Sequence, residues 1–130
     1  MGRARILLVD DDPDLLEALR LRMSAAGYEV HTAGDGVQAT RLARNARPDL
    51  VVLDIGMPGG DGHTVAQRLK GDPLTMFTPI VFLTARTHDD DFARARSNRV
   101  DKYLVKPFQV DELVLAVDEL VERVRQPAAV

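Results

Sequence analysis

The stretch ILLVDDDPDLL, residues 6–16, drives four apolar residues into three consecutive acids, Asp10, Asp11 and Asp12, and then begins a second apolar pattern. The run before the acids has the length and density of a buried strand. After them, Asp12 is placed to cap a helix and Pro13 suits its first turn, while Leu15, Leu16, Leu19 and Met23 recur at three and four residues. A strand thus hands over to a helix through a cluster of carboxylates. Adjacent carboxylates repel, and any that is partly buried costs free energy unless a cation or hydrogen-bond donors compensate it. That requirement governs the reading of the remaining chain.

Four further short apolar runs follow: YEVHTA (28–33), DLVVLD (49–54), PIVFLTA (79–85) and KYLVK (102–106). Helical spacing fills the intervals, over 36–43, 62–70 and from Asp111 onward, with a weakly apolar candidate, THDDDFARARSN, at 87–98. Strand and helix alternate throughout, which predicts an α/β fold, a doubly wound five-stranded parallel sheet covered on both faces. The last helix carries Leu113, Val114, Val117, Leu120, Val121 and Val124, a stripe that predicts a well-buried terminal helix and leaves room for a homodimer or partner face. The 130 residues fit one domain, expected over 1–126, with 127–130 as a tail or the start of a linker.

Composition narrows the function classes. A net charge of -3 provides no basic field for a nucleic-acid backbone, so direct nucleic-acid binding is not expected. Without cysteine there is neither a disulfide framework nor a thiolate metal site. No secretory leader and no membrane-length apolar run is recognisable, and a cytoplasmic location is expected.

In an open parallel sheet, ligands bind beyond the carboxyl ends of the strands. The first strand delivers Asp10 and Asp11 there, the third Asp54, the fourth Thr84 and the fifth Lys106. Singly, each has an ordinary reading as a cap, a turn residue or a solvated side chain. Jointly, they place three acids, a hydroxyl and an amine at one edge. Such an oxygen-rich anionic pocket suits a hard divalent cation such as Mg2+ rather than zinc. Magnesium commonly completes its shell with water and phosphate oxygens, which points to phosphoryl chemistry with Asp54 as the best placed nucleophile. The glycine-rich IGMPGGDG that follows Asp54 lets backbone carbonyls approach the metal.

These motifs resemble the receiver domain of bacterial two-component response regulators. The resemblance runs from RILLVDDDPDLLEALR through YEVHTAGDG, PDLVVLDIGMPGGDG, PIVFLTA and DKYLVKPF to the final helix. It implies a flavodoxin-like (βα)5 fold with strand order 2-1-3-4-5. It also implies a phosphorylation-activated signalling switch: Asp54 accepts a phosphoryl group from a histidine kinase or phosphotransfer protein, and the surface of the fourth helix, fifth strand and last helix signals to a downstream protein partner or output domain. By the same resemblance Asp11 binds Mg2+ directly, Asp10 largely through water, and Gly56 through its carbonyl. Lys106 pairs with the phosphoryl group, its bond to Pro107 being cis, and Thr84 and Tyr103 form the switch pair beside the small Ala85. The chemistry expected is self-phosphorylation and self-dephosphorylation, not turnover of a separate substrate. With no output domain after the last helix, the chain reads as a stand-alone receiver or a piece of a larger regulator or hybrid kinase.

Three positions depart from the family pattern. Arg99 and Val100 replace the small pair that commonly precedes the fifth strand, Gly56 offers no side chain two residues after the phosphoacceptor, and Arg86 stands two residues after Thr84. An aspartyl-phosphate phosphatase would need Asp-x-Asp-x-Thr at the first strand, whereas Asp12 is followed by Pro13 and Asp14. A receiver that has abandoned phosphorylation is the other alternative, and the complete set of site residues speaks against it. His31, His63 and His88 are scattered and read as surface or packing residues. The acidic run Asp89, Asp90 and Asp91 reads as favouring the start of the fourth helix through its dipole.

Overall fold

A computed structural model describes residues 2–57, 62–85 and 101–125. Its elements run β1 (Arg5–Val9), α1 (Pro13–Ala25), β2 (Glu29–Ala33), α2 (Gly36–Ala46), β3 (Leu50–Asp54), α3 (Gly62–Lys70), β4 (Ile80–Ala85), β5 (Lys102–Lys106) and a terminal helix, α4 (Val110–Arg125). The candidate helix at 87–98, the run Asp89 to Asp91, and Arg86, His88, Arg99 and Val100 lie outside the described residues, as does the expected tail.

All five strands pair in parallel in the order β2-β1-β3-β4-β5, as the resemblance implies. The central strand β3, LVVLD, is buried along its whole length, because helices cover both faces and no residue can alternate outward to water. One apolar layer joins Leu7, Val9, Leu53 and Phe82 of the sheet to Ala39 and Ala43 of α2 and Val65, Ala66 and Leu69 of α3. The opposite layer joins Ile6, Leu8, Val52 and Leu83 to Leu19 and Met23 of α1 and Leu113, Val117 and Leu120 of α4. Each large aliphatic side chain so buried contributes roughly 1.5–3 kcal/mol. Leu113, Val114, Val117, Leu120 and Val121 are buried, so α4 spends most of its wide stripe on the core, while Val124 and Leu115 remain exposed.

Helix ends follow the chemistry of the sequence. Asp12 caps α1 by accepting from the backbone N–H groups of Asp14 and Leu15, and Gly27, at φ 100, turns the chain toward β2. Asp35 caps α2 by accepting from Gln38 N–H. α2 reaches Ala46, three residues past the expected Ala43. It stops where Pro48 bars right-handed helix at Arg47, which adopts the left-handed conformation at φ 48.

Candidate functional site

The carboxyl edge of the sheet carries the chemistry. Asp10 follows β1 directly, Asp54 is the last residue of β3 and Lys106 the last of β5. All three continue the side of the sheet that faces α1 and α4, since they lie two residues beyond Leu8, Val52 and Leu104 of that layer. Their side chains converge: Lys106 Nζ donates to Asp10 Oδ2 at 2.7 Å and lies 3.7 Å from Asp54 Oδ1. Asp10 is 1% exposed and Asp54 7%. Backbone donors complete the cradle, with Asp12 N–H reaching Asp10 Oδ1 at 3.0 Å and Gly56 N–H reaching Asp54 Oδ1 at 3.2 Å.

The charges at this edge do not balance. Asp10, Asp11 and Asp54 each offer a carboxylate oxygen, and these oxygens all lie within 4.8 Å of one another, with Asp11 on the solvent side. Among the described residues, the one cation paired with them is the amine of Lys106. Burial, reinforced by the charge of Asp10, pushes the Asp54 carboxyl above the usual carboxylate value, and the Gly56 N–H and the Lys106 amine only partly offset this. For Lys106, burial pulls the ammonium down, but the Asp10 hydrogen bond and the Asp54, Asp10 and Asp11 charges together hold it above its ordinary value. An all-oxygen, anionic donor set with one open side fits a hard divalent cation.

Thr84 and Tyr103 extend the site along the sheet. Leu83 pairs with Asp54 across the β3–β4 ladder, so Thr84 lies one residue beyond the level of Asp54 on the adjacent strand. Thr84 pairs with Val105 and Phe82 with Tyr103, which puts Thr84 and Tyr103 on the same face of the sheet, the one opposite Lys106. Thr84 is buried and Tyr103 is 39% exposed. The Lys106–Pro107 peptide is cis, as the resemblance implies. Gly56 is exposed, and a Cβ built on it meets nothing within 4 Å, so this glycine leaves the mouth of the site open instead of relieving crowding.

Two supports of the site were not legible in the residue pattern. Gly62 donates to Ile55 O at 2.9 Å, and a Cβ there would lie 2.6 Å from Asp54 O and 2.7 Å from Ile55 Cα. Only glycine lets α3 begin this close to the chain carrying Asp54. His63 is fully buried with its ring edge-on to Phe82 at 5.1 Å, a packing role on β4 two residues before Thr84. A glycine opening a helix beside an acidic loop was the only hint of the first, and nothing in the spacing revealed the second.

The family model for the response regulator receiver domain matches residues 6–118. The chain belongs to the receiver domain family of response regulators. Among curated receiver-containing proteins, it is 40% identical over 119 residues to the DNA-binding dual master transcriptional regulator RpaA of Synechocystis sp., covering 92% of this chain and 49% of that protein. It is 43% identical over 119 residues to the transcriptional regulatory protein PrrA of Mycobacterium tuberculosis, covering 92% and 50%. The chain spans about half the length of the curated relatives it matches. A solved chemotaxis response regulator of Vibrio cholerae superposes with a TM-score of 0.86 at 30% identity, covering 92% of this chain and 99% of that one. The receiver domain of a Pseudomonas aeruginosa sensor histidine kinase, solved with magnesium ion coordinated in its active site cleft, superposes at 0.83 with 29% identity, covering 93% and 98%. This receiver therefore shares its family's fold, and its acidic cluster stands at the carboxyl edge of the sheet.

Proposed function

We propose that the receiver works as a phosphorylation-driven switch in which Asp54 accepts a phosphoryl group from the phosphohistidine of a histidine kinase or phosphotransfer protein. The observation that carries this reading is the unbalanced charge cluster: among the described residues, three carboxylates within 4.8 Å, two of them buried, are faced by one amine 2.7 Å from Asp10 and 3.7 Å from Asp54. Asp10, Asp11, Asp54 and the Gly56 carbonyl would hold Mg2+, and the cation would supply the positive charge that an anionic nucleophile and an anionic phosphoryl group need in order to meet. A carboxylate oxygen of Asp54 attacks phosphorus, the bond from phosphorus to the donor imidazole breaks, and the imidazole nitrogen leaves with the electron pair. Lys106 is poised to move its donation from Asp10 to the incoming phosphoryl oxygens. Thr84 supplies a hydroxyl to another of those oxygens.

The switch follows from the charge that phosphorylation adds. Thr84 turns toward the phosphoryl group, and Tyr103, on the same sheet face and part-exposed beforehand, moves into the space released. Phosphorylation shifts the balance between two states by as much as these contacts differ between them, and the surface of the candidate helix at 87–98, β5 and the terminal helix α4 reports the outcome to a downstream protein or output domain. The chemistry proposed is self-phosphorylation and self-dephosphorylation. The receiver is assigned to residues 1–126, with 127–130 as a tail or the start of a linker, and to the cytoplasm. Among the described residues no helix is long and apolar enough to cross a membrane.

Intact mass after incubation with acetyl phosphate tests the reading. A single added phosphoryl group that needs both magnesium and Asp54 is expected. Undiminished addition to the Asp54→Ala variant overturns the assignment of the phosphoacceptor. If no addition accumulates, binding of beryllofluoride distinguishes a short-lived phosphoryl group from a site that does not take one.

A further inference from the structure

On the flank of the molecule, α2 carries Val37, Thr40, Arg41, Arg44 and Asn45 at intervals of three and four residues, a continuous stripe beside its buried Ala39 and Ala43. Because those buried residues are small, α2 lies close against the layer it shares with Val65, Ala66 and Leu69 of α3. The stripe faces Arg68 of α3 and Leu74 of the following turn, and together they line a cleft of about 570 Å³. Small-molecule sites occupy roughly 300–1,000 Å³. None of the lining residues belongs to the Asp54 site.

The lining contains three guanidinium groups and no carboxylate. Arg44 Nε is 3.0 Å from Asp72 Oδ2, and Asp72 is itself fixed by accepting Leu74 N–H at 3.0 Å, so one ion pair holds Arg44 in position at the α3 turn. Among the described residues, no carboxylate lies within ion-pair distance of Arg41 or Arg68. The chain as a whole carries -3, so this concentration of positive charge runs against its average. Like charges gathered in one concavity repel, and an anion entering it converts that repulsion to attraction. Guanidinium forks pair with phosphate oxygens two bonds at a time, and three of them offer more donors than one carboxylate can accept. Val37 and Leu74, 66% and 47% exposed, give the cleft an apolar wall.

We propose that the α2–α3 cleft is a second ligand site, in which Arg41, Arg44 and Arg68 bind a di- or triphosphate group, carried by a nucleotide or by inorganic polyphosphate. The site is independent of phosphoryl transfer to Asp54 and gives the receiver an input besides its kinase. The test is a titration of the metal-free, ¹⁵N-labelled full chain, followed by amide shifts, with inorganic pyrophosphate, ATP, GTP, sulfate and a short DNA duplex at matched ionic strength. Saturable shifts centred on α2 and α3 are expected with pyrophosphate. Tighter binding of ATP or GTP than of pyrophosphate assigns the natural ligand to the nucleotides, whose organic part uses the Val37 and Leu74 wall. Equal affinity assigns it to inorganic polyphosphate. The double variant Arg41→Ala/Arg68→Ala should weaken binding by about tenfold or more, and Arg20→Ala on α1, whose exposed guanidinium pairs with Glu17, should leave it unchanged. Arg41 and Arg68 are exposed and Arg20 is only partly covered, so folding should be preserved, which circular dichroism verifies. Absence of saturation, an equal response to sulfate, shifts centred on Asp10 and Asp54, or arginine-dependent binding of the duplex alone would each overturn the proposal.

Discussion

The two ends of the sheet treat charge in opposite ways. At the amino edge, Arg5 pairs with Glu29 at 3.0 Å and donates its backbone N–H to Asp49 at 2.7 Å, while its guanidinium reaches Ala46 O at 3.0 Å. Arg125 approaches Asp49 at 3.7 Å and donates to Gly2 O at 2.8 Å. Two cations meet two anions there, in contact with water. At the carboxyl edge, among the described residues, three carboxylates share one amine, and two of the three are buried. A balanced, solvated network holds the strand starts together and asks for nothing further. An unbalanced, desolvated one lowers the stability of the isolated fold, and under the proposed function a cation and a phosphoryl group would complete it.

Removing the proposed nucleophile gives the largest expected effect: Asp54→Ala should abolish phosphoryl addition from acetyl phosphate, read by intact mass. Lys106→Ala comes next. It should leave phosphorylation possible while severing it from the surface change, so that phosphorylation-dependent amide shifts in β5 and α4 disappear; their persistence would contradict the role given to the amine. Gly62→Ala should destabilise the fold by about 1–3 kcal/mol and slow phosphorylation, since a Cβ at that position must displace the chain bearing Asp54. Chemical denaturation together with the phosphorylation rate measures both parts.

The electrostatic contrast is sharpened by pH. Because the folded-state value of Asp54 is raised, its contribution is fully present below the ordinary carboxylate value and is lost as pH rises through the raised one. Metal-free Asp54→Asn should therefore melt at a higher temperature than the parent at pH 7, with the difference vanishing near roughly pH 3. Lys106, also raised, contributes below the ordinary lysine value and loses that contribution in the alkaline range as pH passes its own. Magnesium at saturating concentration should raise the melting temperature of the parent and reverse the order of parent and variant. Smallest of all, Arg5→Ala at the amino edge should shift melting only slightly and leave phosphorylation unaltered, because its partners remain solvated. A large loss of phosphorylation in that variant would erase the distinction between the two edges.

Much of this was legible in the order of residues. Short apolar runs, four of the five with a polar group at the carboxyl end, announced both the parallel sheet and the edge where Asp10, Asp54, Thr84 and Lys106 gather, since strand ends of a parallel sheet must lie on one side. Asp12 as a cap followed from Pro13 and the leucine spacing behind it. The strand order required the family resemblance, because hydrophobic pattern does not say which buried strand lies beside which. The end of α2 shows the limit of local pattern: alanine spacing faded at Ala43, but backbone hydrogen bonding carried the helix on until Pro48 stopped it.

The sequence by itself determined the alternation of strand and helix, the burial of the central strands and the identity of the residues at the carboxyl edge. These depend on periodicity and on chemistry that each residue carries with it. Only the tertiary structure decided that Lys106 sits closer to Asp10 than to Asp54, that Gly62 must lack a Cβ, that His63 packs on Phe82, and that arginines from two helices share one cleft. Each of these is a distance between segments remote in the chain, and such distances are fixed by how the layers pack and not by any pattern within one of them.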